Sequence, residues 1–209
     1  WEQGFGSAVL QGGERRSGEF TDHVEQLLRG VAAFSGGSCG VTLSLGEQST
    51  ETLDRWRAAG ASRYLLRIET SNPDLFASIH ADRQSFAARL QALERTRACG
   101  YQVGTGVMIG LPGQTTLDLA RDVLFMRERD VDMVGMGPFI PHPDTPLADA
   151  LGDFPRVQER QLELGLKMIA ATRLALQDVN IAATTALQAL APDGRERGLL
   201  AGANVVMPN

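Results

Sequence analysis

Val103-Gly104-Thr105-Gly106-Val107-Met108-Ile109-Gly110-Leu111 is a short, almost continuous apolar run that ends in Pro112-Gly113-Gln114-Thr115. From Thr116 onward the period changes to that of a helix, and a second apolar run opens at Met133. Strand, tight turn, helix and strand are the parts of one βαβ unit. Thr115 followed by Asp118 forms a capping pair at the helix start, and Leu117, Ala120 and Leu124 supply an apolar stripe for packing on a sheet.

The same alternation extends in both directions. Apolar runs at residues 7–10, 41–45, 64–67, 133–140, 181–185 and 203–207 join the one at 103–111, which predicts seven strands. Helical periods are expected at residues 21–34, 49–59, 86–98, 116–129, 155–176 and, more briefly, 194–200. Phe86, Leu90 and Leu93 give the third of these its apolar stripe, while Gly60 and Gly100 stand where left-handed caps stop a helix.

Strict βα alternation with unbroken apolar strands predicts an α/β fold with a parallel sheet covered by helices. A doubly wound sheet carries a glycine fingerprint after its first strand, but Gln11-Gly12-Gly13-Glu14 has neither that spacing nor the Lys-Ser/Thr of a P-loop. Gly104-Thr105-Gly106 lies within a strand and fits neither motif. Seven βα-like units in 209 residues therefore point to a partial TIM-like barrel, a single domain over residues 1–209 with its first βα unit missing. Both ends read as cuts: Trp1 leads within a few residues into a buried strand, and Met207-Pro208-Asn209 stops as another strand finishes.

Composition narrows the function. With 43% hydrophobic and 22% charged residues the chain is an ordinary globular sequence. A net charge of −5 without any Lys/Arg block gives no basis for gripping nucleic acid. No apolar run approaches the roughly 18 residues that span a bilayer, so no membrane partner and a cytoplasmic location are expected. The two cysteines, Cys39 and Cys99, lie too far apart to suggest a disulfide framework and read as structural thiols.

Chemistry in such barrels collects where strands end. Those ends carry Ser44-Leu45-Gly46-Glu47, Arg67-Ile68-Glu69-Thr70-Ser71-Asn72, Gly110-Leu111-Pro112-Gly113-Gln114-Thr115 and Ala183-Thr184-Thr185-Ala186. A further one runs Asp132-Met133-Val134-Gly135-Met136-Gly137-Pro138-Phe139-Ile140-Pro141-His142-Pro143-Asp144-Thr145-Pro146-Leu147. In this order and spacing they resemble the radical S-adenosylmethionine (radical SAM) enzymes, in particular the HydE-type maturases of FeFe-hydrogenase, which are related to biotin synthase and methylornithine synthase. The resemblance covers essentially the whole chain. Gly12 and Ile68 depart from it, because Ser and His are common at those positions in the family.

The resemblance implies reductive cleavage of S-adenosylmethionine to methionine and a 5'-deoxyadenosyl radical. It implies a 4Fe-4S cluster held by a CxxxCxxC motif, for which this chain has no matching segment. It assigns Arg67, Glu69 and Arg89 to the methionine and ribose portions of the cofactor, and Met133 and Pro138 to the adenine. Gln11, Thr42, Arg63, Thr184 and Thr185 would line a polar, anion-tolerant cavity for a small-molecule or iron-complex substrate, and the other hydrogenase maturases would be its partners.

Plainer readings compete. Glu69 taken alone is a strand-end carboxylate capping the next helix. Residues 110–115 are in any case a tight turn into a capped helix, to which the resemblance adds close backbone approach to adenosine. The proline-rich segment 138–146 can be a rigid loop whose His142 binds nothing, and Thr184-Thr185 can be ordinary β-branched packing. An aldolase would need a Schiff-base lysine at a strand end, yet Lys167, the only lysine, falls in a helix pattern. Another radical SAM enzyme of the biotin synthase and methylornithine synthase group, or a cluster-free scaffold protein, remains as an alternative.

Overall fold

The computed structural model describes residues 4–80, 84–147, 149, 152 and 154–206. By its contacts the chain separates into two compact units, Trp1–Leu66 with Gln84–Gly104, and Arg67–Arg83 with Thr105–Asn209.

The first unit holds strands β1 (Ser7–Gln11), β2 (Gly40–Ser44), β3 (Ala61–Leu65) and β4 (Gln102–Thr105, its last residue excepted). They pair in that order, each parallel to the next. Helices α1 (Gly18–Ser35), α2 (Thr50–Ala58) and α4 (Phe86–Ala98) connect them, and Ser17, Ser49 and Ser85 cap these helices by accepting backbone N–H groups. Gly60 and Gly100 have φ of +117° and +80°, as helix-stopping glycines should. Trp56 is fully buried, with Nε1 donating to Thr21 O at 3.0 Å and its ring edge-on to Phe20. Tyr64 and Tyr101 also meet edge-on, and their hydroxyls donate to Gly46 O and Leu53 O. Each large ring thus brings a polar tip that finds a partner.

A β-bulge decides which residues face where. The register passes from Val41 opposite Ala61 to Thr42 opposite Arg63, so Ser62 is the extra residue. Ala8 lines the groove along α1, and by alternation Val9, Thr42 and Arg63 lie on the sheet face away from that helix.

The second unit contains α3 (Pro73–Ile79), β5 (Met108–Ile109), α5 (Thr116–Glu128), β6 (Met133–Val134), β7 (Gly137–Pro138) and α6 (Phe154–Leu176). It continues with β8 (Asn180–Ala183), α7 (Thr185–Leu190), α8 (Gly194–Leu200) and β9 (Val205–Val206). Strands β6, β8 and β9 pair in sequence, β5 pairs with β7, and every one of these pairings is parallel. Val107, Ile109, Met126, Met136, Ile169 and Ile181 make its interior.

Several expectations change. The strand expected over 103–111 is two, broken at Gly106, where a Cβ would overlap the carbonyl oxygen of Gly135. The strand over 133–140 is likewise split into β6 and β7. Strand β8 ends at Ala183, so Thr184 is a helix N-cap and Thr185 an exposed first helical residue. On α5 the stripe Leu117, Ala120, Leu124 faces solvent, with Leu117 58% exposed. The buried face is Asp118, Leu119, Asp122, Val123 and Met126. That set follows the helical period equally well, and it wins because its two carboxylates have partners to bury against. Helix α3 was not expected, although Asn72-Pro73 is a cap followed by proline in the first turn. Met207 and the residues after it lie outside the described residues.

Candidate functional site

The centre of the second unit is a turn at Glu69. Its φ is +62°, a left-handed conformation that non-glycine residues adopt at a cost of about 1–2 kcal/mol. The turn is held on the side of the strand by its own backbone. Ile68 N and Glu69 N both donate to Gly106 O, at 3.1 and 3.0 Å, and Met108 N donates to Glu69 O at 2.9 Å. Ile68 N also donates to Thr105 Oγ1. Ile68 is fully buried, whereas Arg67 and Glu69 on either side of it are half-buried. One carboxylate oxygen of Glu69, Oε2, is out of solvent.

Glu69 does not cap the following helix, because Asn72 does. The Asn72 side chain accepts from Asp74 N and Leu75 N, at 3.0 and 3.3 Å. The capping role that competed for Glu69 is therefore taken by another residue.

From Glu69 the strand ends meet in sequence. Glu69 bridges to Val107, Met108 pairs with Gly137 and Ile109 with Pro138, and a Cβ added to Gly137 would lie 2.8 Å from Thr184 Oγ1. Leu75 of α3 shares a buried apolar cluster with Leu111 and Phe139 of two strand-end segments. The side chains of Gln114 and Gln161 fasten the turn between them. Gln114 Oε1 accepts from Gly110 N at 2.7 Å, and Gln161 Nε2 donates to Gly110 O and Phe139 O at 3.0 and 3.1 Å. The space that a Cβ would need at Gly110 is filled by Gln161, so that glycine makes room for a protein side chain. Thr115 and Asp118 form the expected capping box.

The structure thus brings Arg67, Glu69, Pro138 and Thr184 to neighbouring strand ends of one unit. Thr184 Oγ1 is buried and has no hydrogen-bond partner among the described residues. The buried Pro138 ring lies on Gly165 of α6. Met133 is half-buried where β6 begins, opposite Asn180. His142 sits in an exposed turn, its carbonyl accepting from Thr145. Lys167 pairs with Glu163 on α6 at 2.7 Å, far from the chemistry an aldolase would need.

The remaining candidates belong to the first unit. Thr42 is buried and stands opposite Arg63. Arg63 Nη2 packs so tightly over Gly40 that a Cβ there would overlap it. Gln11 ends β1 opposite Ser44, two residues beyond Val9 and Thr42, and shares their face. Arg89 is buried and its Nε donates to Glu47 Oε1 at 2.8 Å, inside a network that also includes Arg16 and Glu14. A groove of about 580 Å³ along α1, lined by His23, Leu27, Val31 and Phe34, contains none of the candidate residues.

In the second unit the ends of parallel strands gather glycines, a carboxylate on a left-handed backbone and a buried hydroxyl. Residues 1–126 match the Radical SAM superfamily, and the chain belongs to it. Among curated relatives, the [FeFe] hydrogenase maturase subunit HydE of Thermotoga maritima is 54% identical over 170 residues, covering 81% of this chain and 46% of that protein. The 3-methylornithine synthase of Methanosarcina acetivorans is 30% identical over 79% of this chain and 44% of its own length. The crystal structure of methylornithine synthase (PylB) superposes with a TM-score of 0.79 at 25% identity, covering 97% of this chain and 57% of that one. The fold class is accordingly the α/β, partial TIM-like barrel of radical SAM enzymes. The chain spans about half the length of the curated relatives it matches.

Enzymes of this superfamily use S-adenosylmethionine and a 4Fe-4S cluster. The residues present do not fit the cluster: Cys39 and Cys99 are the only thiols, and among the described residues no three His, Cys, Asp or Glu side chains group to hold a metal. The half-buried Glu69 carboxylate and Arg67 guanidinium are the charge types that S-adenosylmethionine, a zwitterion with a ribose, requires. No helix among the described residues is long and apolar enough to cross a membrane.

Sequence reasoning missed four side chains that build this site, namely Asn72, Gln114, Asp122 and Gln161. The i, i+4 spacing of Asp118 and Asp122 beside Leu119 and Val123 was the available signal for the third.

Proposed function

We propose that this chain is about half of a HydE-type radical SAM maturase, acting in assembly of the catalytic iron cluster of FeFe-hydrogenase. The observation that carries the reading is the 54% identity over 170 residues to the Thermotoga maritima HydE protein. When bound, S-adenosylmethionine supplies a 5'-deoxyadenosyl radical on one-electron reduction.

The protein's own part is to bind, orient and exclude water. Glu69 and Arg67 hold the ribose and methionine portions, a carboxylate accepting from hydroxyls and a guanidinium answering a carboxylate. Arg89, which pairs with Glu47, is assigned to the same cofactor by the family resemblance. The backbone at Pro138 takes the adenine face, whereas Met133, assigned to the adenine by the resemblance, opens β6 opposite the first residue of β8 and stands at the start of its strand. Gln11, Thr42, Arg63, Thr184 and Thr185 receive the substrate, a small molecule or iron complex with anionic groups, which Arg63 and the hydroxyls tolerate. The other hydrogenase maturases are the partners that this role implies.

Because the chain lacks three adjacent thiols, the 209 residues alone are inactive, and thiolates from a preceding strand–helix unit complete the enzyme. Joining a unit that carries CxxxCxxC to Trp1 and reconstituting anaerobically tests this. The joined protein should take up about four iron atoms per chain, with the visible absorption of a cluster, and the 209-residue chain should take up none. Cluster assembly by the short chain, or failure of the joined protein to assemble one, would overturn the reading.

A further inference from the structure

The turn at Glu69 is held on its strand side by backbone hydrogen bonds and by Thr105 Oγ1, but on its helix side it hangs from α5. Thr70 is fully buried and its Oγ1 accepts from Asn72 N. Ser71 then donates twice to a single oxygen, with both N and Oγ 2.6 Å from Asp122 Oδ1. Asn72 Nδ2 donates to Asp118 Oδ1 at 2.9 Å. Two carboxylates one helical turn apart thus take two consecutive loop residues.

Asp122 is an unexpected occupant of its position. It is fully buried among Leu119, Val123 and Met126, where an aliphatic side chain would pack at lower cost, and its Oδ2 has no hydrogen-bond partner among the described residues. Helix α5 already has a capping box and needs no acid there to form. What the carboxylate serves is Ser71, two residues beyond the left-handed turn. A residue at φ +62° persists only where its surroundings over-determine it.

We propose that Asp122 is a positioning residue: by fixing Ser71 it locks the left-handed turn that presents the Glu69 carboxylate to S-adenosylmethionine. This rests on the reading of Glu69 given above. Asp118 supports the same loop through Asn72, but its first duty is the helix cap, so of these two acids it is Asp122 whose side-chain hydrogen bonds among the described residues go to the loop alone. An amide at 122 keeps an acceptor for both Ser71 donors, whereas an aliphatic group of similar volume keeps none.

The test compares Asp122→Leu, Asp122→Asn and Ser71→Ala, the last removing one donor without touching the core. Hydrogen exchange is followed in the 209-residue chain, and S-adenosylmethionine affinity in the joined, cluster-bearing protein. In Asp122→Leu, amide exchange at residues 70–72 should rise at least tenfold while the paired residues Met108 and Ile109 keep their protection, and affinity should fall about tenfold. Asp122→Asn should stay within about threefold of wild type in both, and Ser71→Ala should fall between. Unchanged exchange in both Asp122→Leu and Ser71→Ala would overturn the role of Asp122. Faster exchange with unchanged affinity would overturn the link to the cofactor, and a wild-type joined protein that binds no S-adenosylmethionine would overturn the reading of Glu69 itself.

Discussion

Asp122 Oδ1 accepts both hydrogen bonds that Ser71 can donate, each at 2.6 Å, from a position with no exposure to solvent. Burial pushes the Asp122 carboxyl up to about 6, and the two Ser71 donors and the neighbouring Asp118 act on it less strongly. The folded-state value lies above the unfolded one of 3.8, so the stability this group contributes is present below about 3.8 and is lost as pH rises through about 6. Asp118 has the opposite sign: its hydrogen bonds from Thr115 hold it below the usual range, and its contribution is lost only in stronger acid. Between pH 7 and 4, wild type should therefore gain on Asp122→Asn by on the order of 1 kcal/mol for each unit below about 6. Denaturant melts of both proteins across that window check it, and a flat difference would contradict it.

Gly106 and Gly113 are glycines for different reasons, and substitution should separate them. A Cβ on Gly106 overlaps the carbonyl oxygen of Gly135, backbone against backbone, whereas Gly113 has open space but a φ of +77°. Gly106→Ala should cost about 3 kcal/mol or more, and Gly113→Ala only about 1 kcal/mol. Thermal melts of the two variants decide, and equal costs would mean that the strands at 106 and 135 can part.

Gln161 is 4% exposed and satisfies two carbonyls on different strand-end segments, Gly110 O and Phe139 O. Gln161→Leu would leave both oxygens buried without that donor. The expected loss is about 2–4 kcal/mol in chemical unfolding, larger than for a surface glutamine such as Gln91. A loss below about 1 kcal/mol would show that another donor or water replaces the amide.

The alternation of strands and helices was legible because each element carries its own period. The helices at Phe86–Ala98 and Gly194–Leu200 end where the sequence predicts. The short β5 and β7 were not separable from β4 and β6, since their boundaries are set by the contact between Gly106 and Gly135, residues 29 apart with nothing local to mark them. The site was legible in part. Glu69, Arg67 and Thr184 stand at strand ends that polarity alone exposes, whereas Asp122 and Gln161 act through bonds to residues 51 positions away. Leu117 and Leu124 misled for a physical reason: apolar residues at helical spacing were assigned inward, and the acids that displaced them are buried only because Ser71, Asn72 and Thr115 meet them.

The most direct test of the central claim, that Glu69 belongs to the cofactor site of a radical SAM enzyme, is 5'-deoxyadenosine formation under anaerobic reducing conditions. The proteins compared are the joined, cluster-bearing protein, its Glu69→Ala variant and the 209-residue chain. The joined protein should cleave S-adenosylmethionine, and Glu69→Ala should keep its iron but raise the S-adenosylmethionine concentration needed by about tenfold, the loss of a charge-assisted hydrogen bond. The short chain should form no 5'-deoxyadenosine. Turnover by the short chain, or a Glu69→Ala variant indistinguishable from the joined parent, would contradict the account.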